Sequence, residues 1–368
     1  GRRIPVSTYR LQLGPDLSFD QAAAQLDYLD DLGITDLYLS PILQAAPGST
    51  HGYDVVDHTR ISDVMGGRAG FERLTRAAHK RQMGIIVDVV PNHMGVPTPS
   101  YHNKAVWSVL KYGAHSPYAR WFDGTDDGDG ILMPFLGARI GTVLANHEIT
   151  LEDRVIPGLE DEGAQPVLVY YDHVFPVRAG TENLPVELCV AQQYYRLAYW
   201  KVAAEELNFR RFFDVDTLLA VRVEDPEVFH ATHGLLLELY QQGCIDGFRI
   251  DHPDGLADPR GYMRRLYTAT GGAWITAEKI LEADEQMQAD WPVAGTTGYD
   301  AAWRIGALYC DPNGYGELAT IAHTITGDIP GSLDEVIGEA KREITTTSLF
   351  AEVHRIASMA YQICRDDI

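Results

Sequence analysis

The sequence predicts an α/β fold: a (β/α)8 TIM-type barrel that is incomplete, with about six strands and a subdomain inserted after the third strand. Three observations support this. Short β-branched runs alternate with helical stretches, which indicates a parallel sheet. The motifs GxGxxG and GxxxxGK[ST], which would favour a doubly wound sheet, do not occur in the sequence. The alternation stops between residues 94 and 223 and then resumes.

Residues 1–93 are predicted to form the first part of the barrel, with strands one to three. The second strand precedes a polar loop, and the third is a continuous apolar run typical of buried parallel strands. Ser18 and Gln21 have the spacing of a capping box at the start of the first helix. In chain order, we expect a strand at 4–13, a helix at 18–32, a strand at 34–39, a helix at 67–81 and a strand at 85–90.

Residues 94–223 are predicted to form the inserted subdomain. The segment contains loops rich in proline and glycine, and an acidic tract, DGTDDGDG, at 123–130. The run PVLVYYDHVF has a β-like pattern, and residues 192–209 have the spacing of an amphipathic helix. We therefore expect the subdomain to have a small core of its own.

Residues 224–300 are predicted to form the second part of the barrel, with strands four to six. Residues 301–368 have a helical pattern, which we interpret as the start of a truncated helical insertion. In chain order, we expect a helix at 226–242, a strand at 245–250, a helix at 261–269, a strand at 274–278 and a short strand near 292–297.

Charge and cysteine usage restrict the partners and the location of the protein. The formal net charge is −22 and no run of lysine and arginine occurs, which argues against a nucleic-acid partner. The four cysteines lie far apart without a CxxC pair, which suggests reduced thiols. No stretch is apolar enough for a membrane span or a signal peptide. We therefore predict a cytoplasmic protein with no membrane or nucleic-acid partner.

Chemistry-bearing residues follow the predicted strands, and in a barrel such residues meet at one mouth. Asp251 and Glu278 are separated by one strand, helix and strand, which places them on neighbouring strands. Two such carboxylates are the groups used in glycoside chemistry, and a narrow gap between them favours retention. Arg249 lies two residues before Asp251, on the same face of the strand, and is expected to keep that aspartate ionised.

Other strand ends add groups that suit a sugar. Tyr53 offers a ring face, and Asp54 and His93 offer hydrogen-bond partners for hydroxyl groups. For each residue alone, a solvated strand cap or ordinary core packing is the competing interpretation. A zinc or manganese site is a further alternative, but the Arg249 charge would oppose a cation beside Asp251 and no HExxH motif occurs. We therefore predict neither a metal nor a cofactor.

The segments DVVPNH, GFRIDH and AEK resemble three of the four short conserved regions of the α-amylase superfamily of retaining glycoside hydrolases and transglycosylases. The resemblance implies a (β/α)8 barrel with a subdomain after the third strand. It implies that Asp251 is the nucleophile and Glu278 the general acid/base. It also implies that Arg249, His93, Tyr53 and Asp54 line the subsite of the sugar under attack.

Longer segments resemble the maltooligosyl trehalose synthase family within that superfamily. They include VSTYRLQL, SPILQAAPGSTHGYDVVDH, GFRIDHPDGLADP, AEKIL and GTTGYD. This resemblance implies an isomerase, (1→4)-α-D-glucan 1-α-D-glucosylmutase, acting on maltooligosaccharides in trehalose biosynthesis. Such an enzyme converts the reducing-end α-1,4 link into an α,α-1,1 link. An amylase-type hydrolase and a non-catalytic α-glucan-binding fragment remain alternatives.

The sequence departs from the superfamily pattern in two places. Many members carry Lys-His three and four residues after the nucleophile, where this chain has Asp254 and Gly255. We therefore expect His252 and Asp254 to contact the leaving glucose. The superfamily also uses a third carboxylate, often in a His-Asp pair, and no histidine here is followed by aspartate. The chain thus resembles the N-terminal half of such an enzyme, and we expect a C-terminal half to complete the barrel.

Overall fold

The N-terminal part of the chain supplies three neighbouring strands of one parallel sheet. The structure is a computed structural model that describes residues 3–125, 128, 130–282, 284–327 and 333–365. Its first elements are β1 (Thr8–Leu11), α1 (Phe19–Ala23), α2 (Leu26–Asp31), β2 (Asp36–Leu39), β3 (Leu43–Ala45), β4 (Val55–Ile61), α3 (Gly67–Lys80) and β5 (Gly84–Val89). Strands β1, β2 and β5 lie side by side, while β3 and β4 form an antiparallel pair.

The first predicted helix is confirmed at its start but not along its length. The Ser18 side chain accepts a hydrogen bond from the Gln21 N–H, and the Gln21 side chain accepts one from the Ser18 N–H, which completes the capping box. The single helix predicted at 18–32 is wrong, because two helices, α1 and α2, replace it. The N–H of Gln25 bonds to the Ala22 carbonyl three residues back, so the turn between them tightens.

The segment after β5 folds into small sheets and short helices. They are β6 (His93–Gly95), α4 (Lys104–Tyr112), β7 (Ile131–Leu136), α5 (Ile140–Ala145), β8 (Ile149–Val155), β9 (Ala164–Tyr170), β10 (His173–Pro176), α6 (Val186–Val190), β11 (Tyr195–Tyr199), α7 (Ala203–Glu206), β12 (Arg211–Phe212) and β13 (Val215–Ala220). Strands β10, β9 and β8 form one antiparallel sheet, and β12, β13 and β6 form another. The acidic tract at 123–130 lies partly outside the described residues.

The amphipathic helix predicted at 192–209 is wrong. Residues Tyr195–Tyr199 form β11, which pairs in parallel with β7, and only the four residues Ala203–Glu206 are α-helical. Tyr195 and Leu197 point into the core while Arg196 between them is exposed, so this stretch also fits the period of a strand. Pairing with β7, which lies far away in sequence, therefore decides that this stretch forms a strand and not a helix.

The second part of the chain continues the parallel sheet. Its elements are α8 (Pro226–Gln241), β14 (Gly247–Ile250), α9 (Pro259–Ala269), β15 (Trp274–Ala277) and β16 (Gly295–Thr296). The six strands have the order β1-β2-β5-β14-β15-β16, with every neighbouring pair parallel. The predicted fold class, an incomplete (β/α)8 barrel with an insertion after the third strand, is confirmed.

The last part of the described chain is helical, as predicted. It contains α10 (Tyr299–Ala307), α11 (Tyr315–Thr326), α12 (Leu333–Thr346) and α13 (Phe350–Cys364). Helix α13 contacts the inserted subdomain, where Arg355 donates to the carbonyls of Leu207 and Phe209 and Glu352 pairs with Arg211. In the ranges that the structure covers, no helix combines the length and apolar character needed to cross a membrane.

Candidate active site

Arg249 on β14 lies at the centre of a buried cluster of carboxylates. Its Nη1 atom donates to Asp88 at 2.8 Å and to Asp251 at 2.7 Å. Its Nη2 atom lies 2.8 Å from Oε1 of Glu278. One guanidinium group therefore joins three carboxylates, and it brings together the Arg249, Asp251 and Glu278 side chains that the sequence singled out.

The register of the parallel strands explains why these groups meet. Arg249 lies opposite Asp88 on β5, and Ile250 lies opposite Ala277 on β15. Asp251 and Glu278 are the next residues of their strands, and the Glu278 N–H donates to the Ile250 carbonyl at 2.8 Å. Neighbouring strands run about 4.8 Å apart. The two carboxylates therefore leave the sheet side by side, in the arrangement that suits direct attack with retention.

Burial dominates the electrostatics of the cluster. Removal from water raises the pKa of Asp251 to about 7, and the nearby Asp88 charge adds to the effect, while Arg249 opposes it. Burial also raises the pKa of Asp88, against the stabilising contacts from Arg249 and two tyrosines. The expectation that Arg249 keeps Asp251 ionised therefore needs correction, because the pKa of Asp251 is raised and not lowered. Because three carboxylates share the guanidinium group, its charge does not offset the burial of Asp251.

Tyr53 contributes to the cluster through its hydroxyl group. The Tyr53 hydroxyl donates to Asp88 at 2.6 Å and accepts from Arg10 at 3.1 Å. Tyr38 donates to the same Asp88 oxygen at 2.7 Å. Burial raises the pKa of Tyr53 to about 12, so the phenol stays protonated and can donate. From the sequence, only a contact between the ring face of Tyr53 and a sugar was predicted.

Three residues of this network were missed by sequence reasoning, namely Asp88, Tyr38 and Arg10. A signal existed for Asp88, because it is the only charged residue in the apolar run IIVDVV. A lone carboxylate in a buried strand requires partners, and it gets them from Arg249 and two phenols. Tyr38 and Arg10 gave no comparable signal, since each lies in an ordinary strand pattern.

His93 contacts the backbone of Tyr53 and is almost fully buried, at 2 % exposure. Its Nε2 atom is 3.0 Å from the Tyr53 carbonyl, which only accepts, so this nitrogen carries the proton. Its Nδ1 atom contacts the Asn92 side chain. Burial lowers the pKa of His93 to about 4, so the ring is neutral at pH 7. Both ring nitrogens thus contact protein groups, and the ring orients Tyr53.

Asp54 is placed in the loop between β3 and β4, apart from the Arg249 contacts. Its side chain accepts a hydrogen bond from Ser49, and His51 Nδ1 lies 3.9 Å away. The loop packs tightly on β6, since a Cβ atom on Gly95 would lie 2.9 Å from the Asp54 carbonyl oxygen. The described contacts of Asp54 therefore fix the loop that carries Tyr53.

His252 and Asp254 lie next to Glu278 and to Lys279, the residue after it. His252 has a left-handed backbone, and its N–H donates to Oε2 of Glu278 at 3.1 Å. Its ring packs against Phe213, with centroids 4.9 Å apart. Asp254 points outward and pairs with Lys279 at 3.2 Å. The structure thus brings His252 to Glu278 through its backbone, and it pairs Asp254 with Lys279, the residue after Glu278.

An open cleft of about 470 Å³ lies over the cluster. Its wall includes Tyr53, Arg249 and Glu278 together with Tyr299 from the start of α10. Among the residues described by the structure, no group of three or more histidine, cysteine, aspartate or glutamate side chains is arranged to hold a metal ion. The cleft therefore presents the Glu278 carboxylate, phenols and guanidinium groups, which are hydrogen-bonding groups suited to a polyhydroxylated ligand.

Comparison with known proteins identifies similar chains. A putative maltooligosyl trehalose synthase of Mycobacterium tuberculosis is 39 % identical over 359 residues, which cover 95 % of this chain and 44 % of the relative. The solved structure of maltooligosyltrehalose synthase from Arthrobacter ramosus superposes with a TM-score of 0.87 at 42 % identity, over 96 % of this chain and 45 % of that one. A hypothetical maltooligosyl trehalose synthase of Sulfolobus tokodaii superposes with a TM-score of 0.83 at 36 % identity, over 97 % of this chain and 46 % of that one.

The chain therefore spans somewhat less than half the length of these relatives. The sequence profile "Alpha amylase, catalytic domain" matches residues 20–265. That range contains β2 to β14 and the two aspartates and the arginine of the cluster, and it ends before β15. The chain belongs to the α-amylase family.

Proposed function

We propose that the intact protein converts the reducing-end α-1,4 link of maltooligosaccharides into an α,α-1,1 link, as a glucosylmutase of the maltooligosyl trehalose synthase type. The proposal rests mainly on one structural observation. Arg249 joins Asp251 and Glu278 at adjacent strand ends, where a retaining double displacement needs two carboxylates close together. The similarity to maltooligosyl trehalose synthases along 95 % of the chain supports this choice within the family.

The reaction would proceed in two displacements. Asp251 attacks the anomeric carbon of the penultimate glucose while Glu278 gives its proton to the departing oxygen, which releases the terminal glucose. Glu278, now a carboxylate, then takes the proton from the anomeric hydroxyl of that glucose. The resulting oxygen attacks the anomeric carbon and displaces Asp251. No water is consumed, so substrate and product have the same composition.

The remaining predicted residues would form the two sugar subsites, either directly or by positioning their neighbours. We assign Arg249, Tyr53, Asp54 and His93 to the subsite of the glucose under attack. The His252 N–H contacts the Glu278 oxygen that Arg249 does not contact, and Asp254 pairs with Lys279, so we assign these two residues to the subsite of the released glucose. Asp54 and His93 would act through the loop and ring that they position, since their described contacts are with protein groups.

The proposal includes a further part of the protein that completes the barrel. Strands β1 and β16 each pair on one side only among the described strands. A C-terminal half would supply the two remaining strands and the third carboxylate. We also propose a cytoplasmic location, which is supported by the free state of all four cysteines.

Product analysis tests the proposed function. We would incubate the intact protein with maltopentaose and follow reducing ends and free glucose together. Loss of reducing ends with little glucose is expected. New reducing ends would instead indicate an amylase-type hydrolase, and measurable binding without any conversion would indicate a non-catalytic glucan-binding protein.

A further inference from the structure

We propose that Tyr299 is a positioning residue for Glu278 and that it helps to set the pH range in which Glu278 can act as an acid. This inference rests on the proposed function, which gives Glu278 its role. It concerns the segment GTTGYD at 295–300, for which neither the sequence pattern nor the reaction steps above assign a role.

Among the described residues, Tyr299 is one of three groups that contact the Glu278 carboxylate. Its hydroxyl group donates to Oε1 at 3.2 Å, the oxygen that Arg249 Nη2 also contacts at 2.8 Å. The backbone N–H of His252 donates to the other oxygen, Oε2, at 3.1 Å. Both oxygens of the proposed acid/base therefore have a defined partner in the structure.

Tyr299 differs from the other two groups in its exposure to solvent. Arg249 is buried and is also held by Asp88 and Asp251, and the His252 donor belongs to the backbone. The Tyr299 side chain lies at the rim of the cleft, and the residue is 45 % exposed. Of the three groups that contact Glu278, Tyr299 is therefore the most exposed.

The fold fixes the starting position of Tyr299 beside Glu278. Tyr299 is the first residue of α10, and Gly298 before it has a φ of 102°, which favours glycine. The Thr296 hydroxyl accepts from the Gly298 N–H and donates to Asp300, which closes the turn. The Thr297 N–H donates to the carbonyl of Ala277, the residue just before Glu278, at 3.1 Å. The turn is thereby tied to the strand that carries Glu278.

The chemistry of the contact favours the ionised form of Glu278. The titratable and charged groups that face Glu278 are Arg249, Asp251, His252 and Tyr299. The Glu278 charge raises the pKa of Tyr299, and burial adds to the effect, so the phenol keeps its proton and donates. A hydrogen bond to a carboxylate is stronger than one to the protonated acid. Tyr299 therefore supports Glu278 as the base that accepts the proton of the returning glucose.

Tyr299→Phe in the intact protein tests the inference, with kcat/KM for maltopentaose measured from pH 5 to 9. The variant removes one hydroxyl group from a partly exposed ring, so it is expected to fold. Because the carboxylate loses a donor, the basic limb of the profile should move to higher pH by about one unit. Tyr309→Phe is the matched control, since Tyr309 follows α10 and is 87 % exposed. The control should keep the wild-type profile.

The outcomes separate this inference from the proposed function. A wild-type basic limb in Tyr299→Phe would overturn the inference, and so would a rate that falls equally at every pH, which indicates a structural role. If the wild-type protein instead forms new reducing ends, the proposed function fails. In that case, the pH profile of hydrolysis is measured for wild type and Tyr299→Phe. A shift of its basic limb between the two proteins still tests the role of Tyr299.

Discussion

Arg249 donates from a single nitrogen to both carboxylate oxygens of Asp88, at 2.8 and 3.1 Å, across two neighbouring strands. Asp88 thus neutralises much of the Arg249 charge, which was expected from the sequence to stabilise ionised Asp251. It also accepts hydrogen bonds from two phenols, so it is the most highly coordinated of the three carboxylates around Arg249. Asp88 thereby controls the environment of the proposed nucleophile without lining the cleft.

Asp88→Asn should move the acidic limb of the kcat/KM profile to lower pH. The Asp88 charge raises the pKa of Asp251, and its removal frees Arg249 to stabilise ionised Asp251. In the wild-type protein the limb is expected near pH 7, where Asp251 gains its proton. The measurement is the pH dependence of maltopentaose conversion. Asp31→Asn on the exposed end of α2 is the control, and an unchanged limb in Asp88→Asn would contradict the prediction.

The same substitution should lower the free energy of unfolding by about 1–3 kcal/mol, since it replaces a fully paired buried acceptor. Urea denaturation at pH 8 measures this loss. The pH profile and the free energy of unfolding of Asp88→Asn change for different reasons. The pH shift follows from the lost charge, while the stability loss follows from the loss of one of the two Asp88 oxygens that accept from Arg249, Tyr38 and Tyr53.

Arg249→Lys should lower kcat/KM roughly a hundredfold, although the charge is kept. The guanidinium group contacts Asp251 through Nη1 and Glu278 through Nη2, and a lysine ammonium group has no second nitrogen to reach both. Loss of one hydrogen bond to a charged group accounts for about 1.5–3 kcal/mol. Steady-state kinetics at the pH optimum measure the change, with thermal unfolding as the check on folding. Activity within threefold of wild type would show that only the charge matters.

Glu278→Gln should reduce kcat at least about a thousandfold, because the amide can neither give nor accept the proton in the two displacements. The Glu278 contacts with Arg249 and the His252 N–H involve oxygens, and one of these remains in the amide. Circular dichroism should therefore show an intact fold. Glu187→Gln on α6 is the matched control. Near-normal activity in Glu278→Gln would remove Glu278 from its assigned role.

Much of this site could be predicted from the sequence because it follows from topology. Asp251 and Glu278 end consecutive strands, and parallel neighbours fix their distance without any knowledge of side chains. The number of groups that share Arg249 could not be predicted. Asp88 lies inside a strand, and a sequence does not show whether its side chain points into the barrel or toward the helices. The raised pKa of Asp251 depends on that orientation.

The same limit explains the error at residues 192–209. The pattern of this stretch is compatible with both a helix and a strand, and β7, its partner, lies some sixty residues earlier in the chain. Local periodicity carries no information about such a partner. By contrast, β5 was predicted correctly because a continuous apolar run between helical stretches has few alternatives.

Gly255→Ala should raise the share of hydrolysis over isomerisation. A Cβ atom at this position would lie 2.5 Å from the His252 ring, so the ring must leave its place against Phe213. His252 lies in the proposed subsite of the released glucose, and a displaced ring would hold that glucose less well. The measurement is the ratio of free glucose to non-reducing product from maltopentaose. Gly141→Ala is the control, since nothing lies within 4 Å of its added Cβ; an unchanged ratio in Gly255→Ala would argue against this subsite.

Three buried histidines should make the folded state less stable in mild acid. Burial lowers the pKa of His58 and His93 to about 4 and that of His233 to about 3, from an ordinary value of 6.5. The unfolded chain binds these protons first as the pH falls, so stability is lost from about pH 6.5 down to about pH 4 for His58 and His93, and down to about pH 3 for His233. For His58 the difference between 6.5 and about 4 corresponds to about 3 kcal/mol.

His58→Leu provides the sharpest test of this acid sensitivity. The Nδ1 atom of His58 is buried without a hydrogen-bond partner, so leucine removes a titrating group without leaving a broken hydrogen bond behind. Thermal midpoints measured between pH 7 and pH 5 should fall less steeply in His58→Leu than in wild type. His115→Gln changes an exposed histidine and should follow the wild-type slope. Equal slopes in His58→Leu and wild type would mean that His58 is already protonated in the folded state, against the direction set by its burial.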